Sequence, residues 1–320
     1  MADTKISGLT AATAAATTDE FAINQGGTSK KLTNALLFTA PVMQSYVDYT
    51  GIATPSAPGA GVLRVFARNN AGRMRPAWIG PSGLDTAYQA GLDQNNVTLW
   101  LPGTGTTAAI SFGVSWTTAA TQAHPTIAST SLMTAMKRAT FTTTTASGNA
   151  AGVRSSAPIC LRGNAAGMGG FFFAARFGIL TYNSTDQIWV GLSGVSGVIA
   201  GEPSAQNDTV AMSKDSGETT WQVLTRDTST ANKVSTGRTT AAAGNTDIFD
   251  FYCFCKPNDT HIYARVVDIG SGTVLVNNTD ITSNLPTNTT ALYAHAEIRK
   301  SANGTAGAIF LNKIYVESDQ

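Results

Sequence analysis

Short runs of alternating apolar and polar residues recur from about residue 95 to residue 320. Clusters of Gly, Asn, Asp, Pro and Thr separate these runs, and no long amphipathic helical pattern interrupts them. An alternation with a period of two is typical of strands that bury one face. The pattern predicts strands at residues 97–101, 109–116, 137–145, 170–182, 187–192, 219–225, 248–255, 261–267, 273–276, 291–298 and 308–316.

About ten short strands joined by polar turns predict an all-β protein. They favour two packed antiparallel sheets, a β-sandwich of jelly-roll type, over residues 95–320. The clearest hairpin in this region spans residues 248–267, and the turn sequence KPNDT joins its two strands. The alternation in its first strand places four residues on one face: Phe249, Phe251, Cys253 and Cys255.

A second predicted hairpin, in residues 51–94, carries four arginines. Apolar residues alternate there with Arg64 and Arg68, and the sequence NNAG then favours a reversal into a strand with Arg73 and Arg75. A lone hairpin is marginally stable in water, so it must lie against another domain, another copy of the chain or a partner. Each arginine pair shares one strand face, which fits carboxylate pairing between assembled copies.

Residues 1–50 form a different kind of segment, in which an Ala/Thr run is mixed with short apolar pieces. Residues 21–23 and 30–32 are predicted as two short strands around a turn, and Thr33 favours the start of a short helix through Leu37. The segment cannot build a core of its own. Because such a segment becomes ordered on a partner, an attachment arm is favoured over a frayed terminus.

Charge and composition narrow the function. Charged residues make up 13% of the chain, against about 25% in a typical protein, so the surface is largely uncharged and suits packing between copies. The net charge of +1 creates no general attraction for nucleic acid or for an anionic membrane. No apolar run is long enough to insert into a membrane. The absence of a signal-peptide pattern and the presence of three cysteines favour synthesis in a cytoplasm.

Catalytic chemistry has few candidates in this sequence. No nucleophile-elbow motif is present, and a catalytic triad would have to use His124, His261 or His295. A glycosidase would need two carboxylates at a fixed separation. The candidates lie in turn-rich loops, where carboxylates are more often solvated or bound to backbone N–H groups: Asp186, Glu202, Asp208, Asp215 and Glu218. We therefore predict that the protein is not an enzyme.

Residues that could bind a metal or a sugar are also few. A zinc site is conceivable from Cys160, Cys253, Cys255 and His261, but free cysteines usually pack as small apolar residues. We predict no metal and no cofactor. Four tryptophans could stack on sugar rings, but burial in the core is the more frequent use: Trp100, Trp116, Trp189 and Trp221.

Three segments resemble proteins of tailed-bacteriophage particles. The segment IATPSAPGAGVLRVFARNNAGRMRPAWIGPSGLDTA is similar to one that recurs in phage fibre, tail and head-decoration proteins. The segment KISGLTAATAAATTDEFAINQGGTSKKLT resembles the N-terminal module of phage fibres and tailspikes. The segment TNTTALYAHAEIRKSANGTAGAIFLNKIYVESD resembles the closing strands of the concanavalin-like sandwiches on such fibres. Residues between about 100 and 240 carry no such resemblance.

The resemblance implies a structural virion protein, a homotrimeric tail or head fibre displayed on the particle exterior. Its domains would be an attachment arm (1–50), a trimerisation hairpin with linker (51–94) and the sandwich (95–320). Phage tail or capsid proteins would bind the arm through Phe21, Ile23, Lys30, Lys31 and Leu32. The trimer interface would include Arg64, Phe66, Arg68, Arg73, Arg75 and Trp78.

The sandwich would contact host-surface polysaccharide through residues that the sequence does not identify. Several weak contacts on a trimer would then add up to avidity. Two alternatives remain open from the sequence. The first is a capsid or tail decoration protein without a host ligand, and the second is a polysaccharide depolymerase that uses the loop carboxylates.

Overall fold

The computed structural model describes residues 20–25, 28–33, 48–79, 85–87, 96–165, 168–239 and 247–318. The chain forms two compact units, residues 1–50 and residues 51–320. The strands of the first unit are β1 (Glu20–Gln25) and β2 (Thr28–Thr33). The second unit contains β3 (Arg64–Asn70), β4 (Arg73–Ile79), β5 (Asp85–Ala87), β6 (Asn96–Leu101), β7 (Ile110–Phe112), β8 (Trp116–Ala119), β9 (Thr121–Ala123), β10 (Ala139–Thr142), β11 (Ala150–Ser155), β12 (Phe171–Thr181), β13 (Asp186–Ser193), a 3₁₀ turn (Pro203–Ala205), β14 (Thr209–Lys214), β15 (Thr220–Arg226), β16 (Ala231–Thr239), β17 (Ile248–Cys255), β18 (Ile262–Asp268), β19 (Thr273–Ile281), β20 (Tyr293–Lys300) and β21 (Ala308–Ser318).

The first unit contains an antiparallel pair of strands. β1 and β2 pair along their whole length, with Phe21 opposite Leu32 and Ile23 opposite Lys30. The two short strands predicted from the sequence are therefore confirmed, and the predicted turn between them lies outside the described residues. The helix predicted after Thr33 lies outside the described residues.

Two antiparallel sheets make up most of the second unit. Sheet I has the order β19-β18-β17-β12-β21-β10-β9, and β6 joins it by pairing with β21 and with β7. Sheet II has the order β16-β15-β14-β13-β20-β11-β8. Apolar side chains from both sheets form one continuous core cluster. The predicted all-β sandwich is confirmed.

The core follows the alternation seen in the sequence. Phe171 and Phe173 of β12 enter the core, and the intervening Phe172 lies on the opposite face of sheet I. On β13, Ile188 and Val190 enter the core from sheet II. Because each fully buried side chain of this size stabilises the fold by about 1.5–3 kcal/mol, this cluster is the main stabilising feature of the sandwich.

The predicted hairpin of residues 248–267 corresponds to β17 and β18, which are antiparallel neighbours in sheet I. All four residues assigned to one face of its first strand lie in the core. The intervening Tyr252 and Phe254 are partly exposed on the other face. Pattern and structure agree here because only one face of the hairpin lies in the core.

Four strands of the sandwich were not predicted, namely β9, β11, β14 and β16, and β8 overlaps a predicted strand only at Trp116. The six residues of β14 are all buried, because a loop covers the outer face of sheet II at this point. Ile199 of that loop packs with Trp189 and Ala211 in a separate apolar cluster. A strand that is buried on both faces has no alternation to detect.

β8 and β9 form a bent strand that passes from sheet II to sheet I at one edge of the sandwich. β8 pairs with β11 of sheet II, and β9 pairs with β10 of sheet I. Ala120 separates them with a φ of 60°, which turns the extended chain from one sheet to the other. None of the helices in the described residues is long and apolar enough to cross a membrane.

Candidate functional site

The arginine hairpin, defined as β3, β4 and their turn, is the first component of the candidate site. Its strands pair along their full length, and β5 adds a third strand beside β4. The turn residues Ala71 and Gly72 have φ values of 53° and 78°, as a two-residue type I′ turn requires. Asn69 Oδ1 accepts a hydrogen bond of 2.8 Å from the Gly72 N–H. The predicted hairpin and turn are confirmed.

The arginine-bearing face of the hairpin lies on the outer face of sheet I. The guanidinium carbons of Arg73 and Arg75 lie 5.1 and 5.3 Å from the ring centre of Phe172. Tyr252 and Tyr315 flank this ring at centroid distances of 6.2 and 6.3 Å. Arginine stacks well on aromatic rings because its guanidinium is planar and weakly hydrated. The sequence placed Arg73 and Arg75 on one face, and the surface they meet is aromatic.

The turn of the hairpin contacts two further strands of sheet I. The backbone N–H of Ala71 donates a 2.7 Å hydrogen bond to Asn278 Oδ1. A Cβ atom at Gly72 would lie 2.7 Å from Cγ of Tyr263. The backbone of the turn therefore packs directly against the sheet, which is possible because residue 72 has no side chain.

An ion pair connects the hairpin to the last strand. Arg73 pairs with Glu317, whose side chain is 2% exposed. The hydroxyl of Tyr315 donates a 2.7 Å hydrogen bond to Oε2 of the same carboxylate. Burial, together with that carboxylate, raises the pKa of Tyr315. The carboxylate that Arg73 meets thus belongs to its own chain.

A second ion pair lies on the same face of sheet I. Arg176 binds Asp250 through two hydrogen bonds of 2.7 Å each, and the Tyr252 hydroxyl donates to Asp250 at 3.2 Å. Burial raises the pKa of Tyr252. Two-point binding of this kind fixes both side chains in one geometry.

The other two arginines of the hairpin bind the lead-in that precedes β3. Arg64 Nη1 donates to the backbone oxygen of Ser56 at 2.7 Å and to its hydroxyl at 3.0 Å. Arg68 donates to the hydroxyl of Thr54. The N–H of Ile52 binds a backbone oxygen of β3 at 2.9 Å. The lead-in therefore runs beside the hairpin and extends its surface.

The opposite face of the hairpin is apolar and points away from sheet I. Val65 and Met74 are exposed by 43% and 47%, and Leu63, just before β3, by 59%. Trp78 pairs directly with Val65 across the two strands, so the two side chains share a face. The hairpin thus turns its arginine-bearing face toward the sandwich and exposes apolar residues on its other face.

A groove of about 630 Å³ lies between the lead-in, the hairpin and sheet I. Its rim is open, because Thr54, Val274 and Asn277 are exposed. Its polar wall consists of Arg68, Asn69, Asn70, Tyr252, Arg265, Asn277 and Asn278. The volume falls within the range of roughly 300–1,000 Å³ that is typical of small-ligand sites. The groove is the candidate binding site of the sandwich.

The groove is electropositive. Burial lowers the pKa of Arg68, and the neighbouring Arg265 and Arg75 lower it further, against the opposing effect of Tyr252. Burial is also the largest cause that lowers the pKa of Arg75, followed by Arg73. Cations held this close together favour the approach of an anion.

The other residues predicted for the trimer contact and for virion attachment lie in the hairpin and in the first unit. Phe66 forms a small buried cluster with Ala77 and Ile79 of β4, on the arginine-bearing face. Of the six predicted trimer-contact residues, Trp78 is the one on the outward face. The backbones of the five attachment residues lie in β1 and β2, and their side chains lie outside what the structure describes.

Each of the three histidines makes a local contact. His295 is buried and stacks on Trp189 with ring centres 4.5 Å apart. Its Nε2–H donates a 2.8 Å hydrogen bond to a backbone oxygen of the loop over sheet II. His124 accepts a backbone N–H at 3.1 Å, and burial lowers its pKa. His261 pairs with Asp280 at the surface, with Nδ1 and Oδ1 2.9 Å apart.

All five candidate carboxylates accept a backbone N–H, as expected for acidic residues in turns. The donors are Asn183 for Asp186, Ser216 for Glu202, Thr287 for Asp208, Ser204 for Asp215 and Asp215 for Glu218. Lys233 also binds both Asp215 and Glu218 at 2.6 Å. These contacts stabilise the loops beside sheet II.

The cysteines face the core of the sandwich. Cys160, Cys253 and Cys255 are free thiols and all are buried. Burial raises their pKa values, to about 11 for Cys255, so they remain protonated at neutral pH. Among the described residues, no group of three or more His, Cys, Asp or Glu side chains is placed to hold a metal ion.

The tryptophans are mainly core residues. Trp100, Trp189 and Trp221 are at most 2% exposed, and Trp116 packs partly buried against the core. Core packing, the use favoured from the sequence, is confirmed for Trp100 and Trp221, and Trp189 is buried in the separate cluster on the outer face of sheet II. The aromatic residues at the groove and the hairpin are instead Tyr252, which lines the groove, and Phe172 and Tyr263, which contact the hairpin.

The residues that sheet I contributes to the site were not predicted from the sequence. Phe172, Arg265 and Asn278 come from three strands that are separated widely along the chain. A signal existed in the run FFFAARF, where alternation must direct one phenylalanine outward. The surface that this phenylalanine contacts could not be predicted, because the packing of an outward strand face against a distant hairpin depends on tertiary contacts.

Known proteins offer structural similarity without sequence similarity. No protein-family model and no curated protein sequence matches the chain. A Shewanella oneidensis MR-1 protein of unknown function superposes with a TM-score of 0.46 at 12% identity, over 70% of this chain and 86% of that one. Peanut lectin superposes with a TM-score of 0.45 at 9% identity, over 71% and 98%.

A third similarity is to a phage protein. The CBM2 module of the evolved Dit of Lactobacillus casei BL23 phage J-1 superposes with a TM-score of 0.36 at 14% identity, over 56% of this chain and 75% of that one. All three TM-scores lie below 0.5. The fold of this chain is therefore defined by its own strand pairing, and none of these proteins assigns it a function.

Proposed function

We propose that the protein is a non-enzymatic structural component of a tailed-bacteriophage particle. It would be a homotrimeric tail or head fibre on the particle exterior, bound to phage tail or capsid proteins through residues 1–50. The sandwich would be displayed outward and contact host-surface glycans. The sequence resemblance of the arm, the hairpin segment and the C-terminal strands supports this assignment.

The orientation of the hairpin is the observation that carries the proposal. A hairpin that served only to cover its own sandwich would bury its apolar residues inward and leave a polar outer face, because burial of apolar area is the main source of stability. Here Phe66, Ala77 and Ile79 are buried on the inward face beside the arginines, but Val65, Met74 and Leu63 are exposed on the outward side. Clustered exposed apolar residues mark association surfaces. We therefore assign this face to contact between copies of the chain.

The oligomeric state tests this assignment. Native mass spectrometry of the full chain should give a species of three 33.2 kDa subunits. The double substitution Val65→Lys and Met74→Lys should convert it to monomer, because six lysines would meet at the contact. Ile127→Lys is the matched control, since Ile127 is equally exposed on a different segment and should leave the trimer intact. A wild-type monomer contradicts the proposal.

The position on the particle is a separate test. Gold labelling of a tag fused after Gln320 should mark the outside of intact particles. A label at the tail tip favours host recognition, and a label on the capsid favours a head fibre or a decoration protein. Particles that carry no label would contradict a virion role.

A further inference from the structure

The groove beside the hairpin has a wall suited to one class of ligand. Arg68 and Arg265 contribute two guanidinium groups, and none of the described lining residues carries a carboxylate. An arginine binds a carboxylate through two parallel hydrogen bonds. The groove is thus matched to a ligand with carboxylate groups.

One donor in this wall is unused. Arg265 Nη1 donates a 3.2 Å hydrogen bond to the backbone oxygen of Asn69. Its Nε is buried and has no hydrogen-bond partner within the described part of the chain. A buried polar atom without a partner costs free energy. Because that Nε is inaccessible to solvent, a ligand in the groove would contact the guanidinium through its Nη groups.

The other polar groups in the wall of the groove can form hydrogen bonds with hydroxyl groups of a ligand. Four asparagines line it: Asn69, Asn70, Asn277 and Asn278. An amide carries N–H donors and an oxygen acceptor, and the oxygens of Asn69 and Asn278 already accept backbone N–H groups of the turn. The Tyr252 side chain adds an aromatic surface, which binds the apolar face of a sugar ring. Nucleic acid fits less well, because the chain has a net charge of +1 and phosphate backbones require an extended basic track.

We infer that this groove binds an acidic oligosaccharide, in which carboxylate groups contact Arg68 and Arg265 and hydroxyl groups contact the asparagines. This inference rests on the glycan contact in the proposed function and specifies its site and its chemical class. It places the ligand on the outer face of sheet I, bounded by the lead-in and the hairpin.

Isothermal titration of the full chain with trigalacturonate tests the inference. Neutral galactotriose, inorganic phosphate and a short oligothymidylate serve as comparison ligands. We expect trigalacturonate to bind at least tenfold more tightly than each of them. Equal binding of phosphate or oligothymidylate would show a general anion site, and equal binding of galactotriose would show that the carboxylates are not recognised. Either result, or no binding at all, overturns the inference.

Two variants locate the site. Arg265→Met should weaken trigalacturonate binding at least tenfold. Because this arginine also contacts Asn69, the variant is paired with Asn277→Asp, which adds a repelling charge at the exposed rim without removing a packed side chain. Asn207→Asp is the matched control, since Asn207 is an exposed loop residue next to sheet II. The affinity of this variant for trigalacturonate should stay within twofold of wild type. Unchanged affinity in Asn277→Asp contradicts this location.

The same samples separate this inference from the proposed trimer. Native mass spectrometry reports the subunit number, and titration reports binding. A trimer that does not bind trigalacturonate contradicts the inference alone. A monomer that binds it through Asn277 and Arg265 contradicts the trimer alone.

Discussion

Gly72 shows how one residue controls the docking of the hairpin. Its φ of 78° lies in the left-handed region, which favours glycine. A Cβ atom there would also lie 2.7 Å from Cγ and 3.1 Å from Cβ of Tyr263, too near the sheet backbone for the ring to swing away. Glycine is therefore required both by the turn and by the contact.

We expect Gly72→Val to lower the free energy of unfolding by about 2–4 kcal/mol, the sum of backbone strain and overpacking. Gly217 is the matched control, because its φ is 76° and nothing lies within 4 Å of its Cβ position. Gly217→Val should cost about 1–2 kcal/mol from strain alone. Urea denaturation measures both values. Adding Tyr263→Ala to the Gly72→Val variant should recover part of the lost free energy of unfolding. Equal losses at the two glycines would contradict the contact between the turn and sheet I.

At the scale of elements, the hairpin and sheet I are joined by aromatic stacking and one buried ion pair. Phe172 lies beneath both Arg73 and Arg75, and Arg73 reaches Glu317 on β21. Removal of one partner leaves the other charge buried without compensation. The pair therefore couples the hairpin energetically to the centre of sheet I.

A double-mutant cycle with Arg73→Met and Glu317→Gln should give a coupling free energy of about 1–3 kcal/mol. The surface pair of His261 and Asp280, with side chains 38% and 46% exposed, is the control. The cycle His261→Gln and Asp280→Asn should give at most about 0.5–1 kcal/mol. Thermal or urea unfolding measures each variant. A coupling at Arg73 no larger than in the control would contradict a buried ion pair.

For the whole molecule, residues 51–320 form one compact unit that includes the sandwich and the hairpin. A chain that begins at Gly51 retains all the contacts described between them. A chain that begins at Gly80 loses the hairpin and uncovers Phe172, Glu317 and the wall of the groove. The two truncations therefore separate the role of the arm from that of the hairpin.

We expect the chain that begins at Gly51 to unfold within about 3 °C of the full chain, because a compact unit keeps its own core. The chain that begins at Gly80 should unfold at least about 5 °C lower, since it exposes an aromatic ring and a buried carboxylate. Differential scanning calorimetry provides the midpoints. Equal midpoints for the two truncations would contradict a stabilising role for the hairpin.

The sequence by itself determined the local features of this protein. Alternation with a period of two predicted most strands of the sandwich, the division of residues 248–255 into two faces and the shared face of Arg73 and Arg75, because neighbouring side chains of a strand point to opposite sides. The NNAG turn was predictable from the φ preferences of Asn and Gly. Strand β14 was not, because burial of both faces removes the alternation.

Only the tertiary structure decided which face of the hairpin points inward. The alternation separates an arginine face from an apolar face, and nothing local distinguishes the one that meets the sandwich. That choice depends on Phe172, Tyr263 and Glu317, which lie roughly 100 to 240 residues further along the chain. The groove has the same origin, since its walls come from segments that meet only after both sheets have formed. Such long-range juxtaposition has no periodicity, and therefore no pattern within one segment records it.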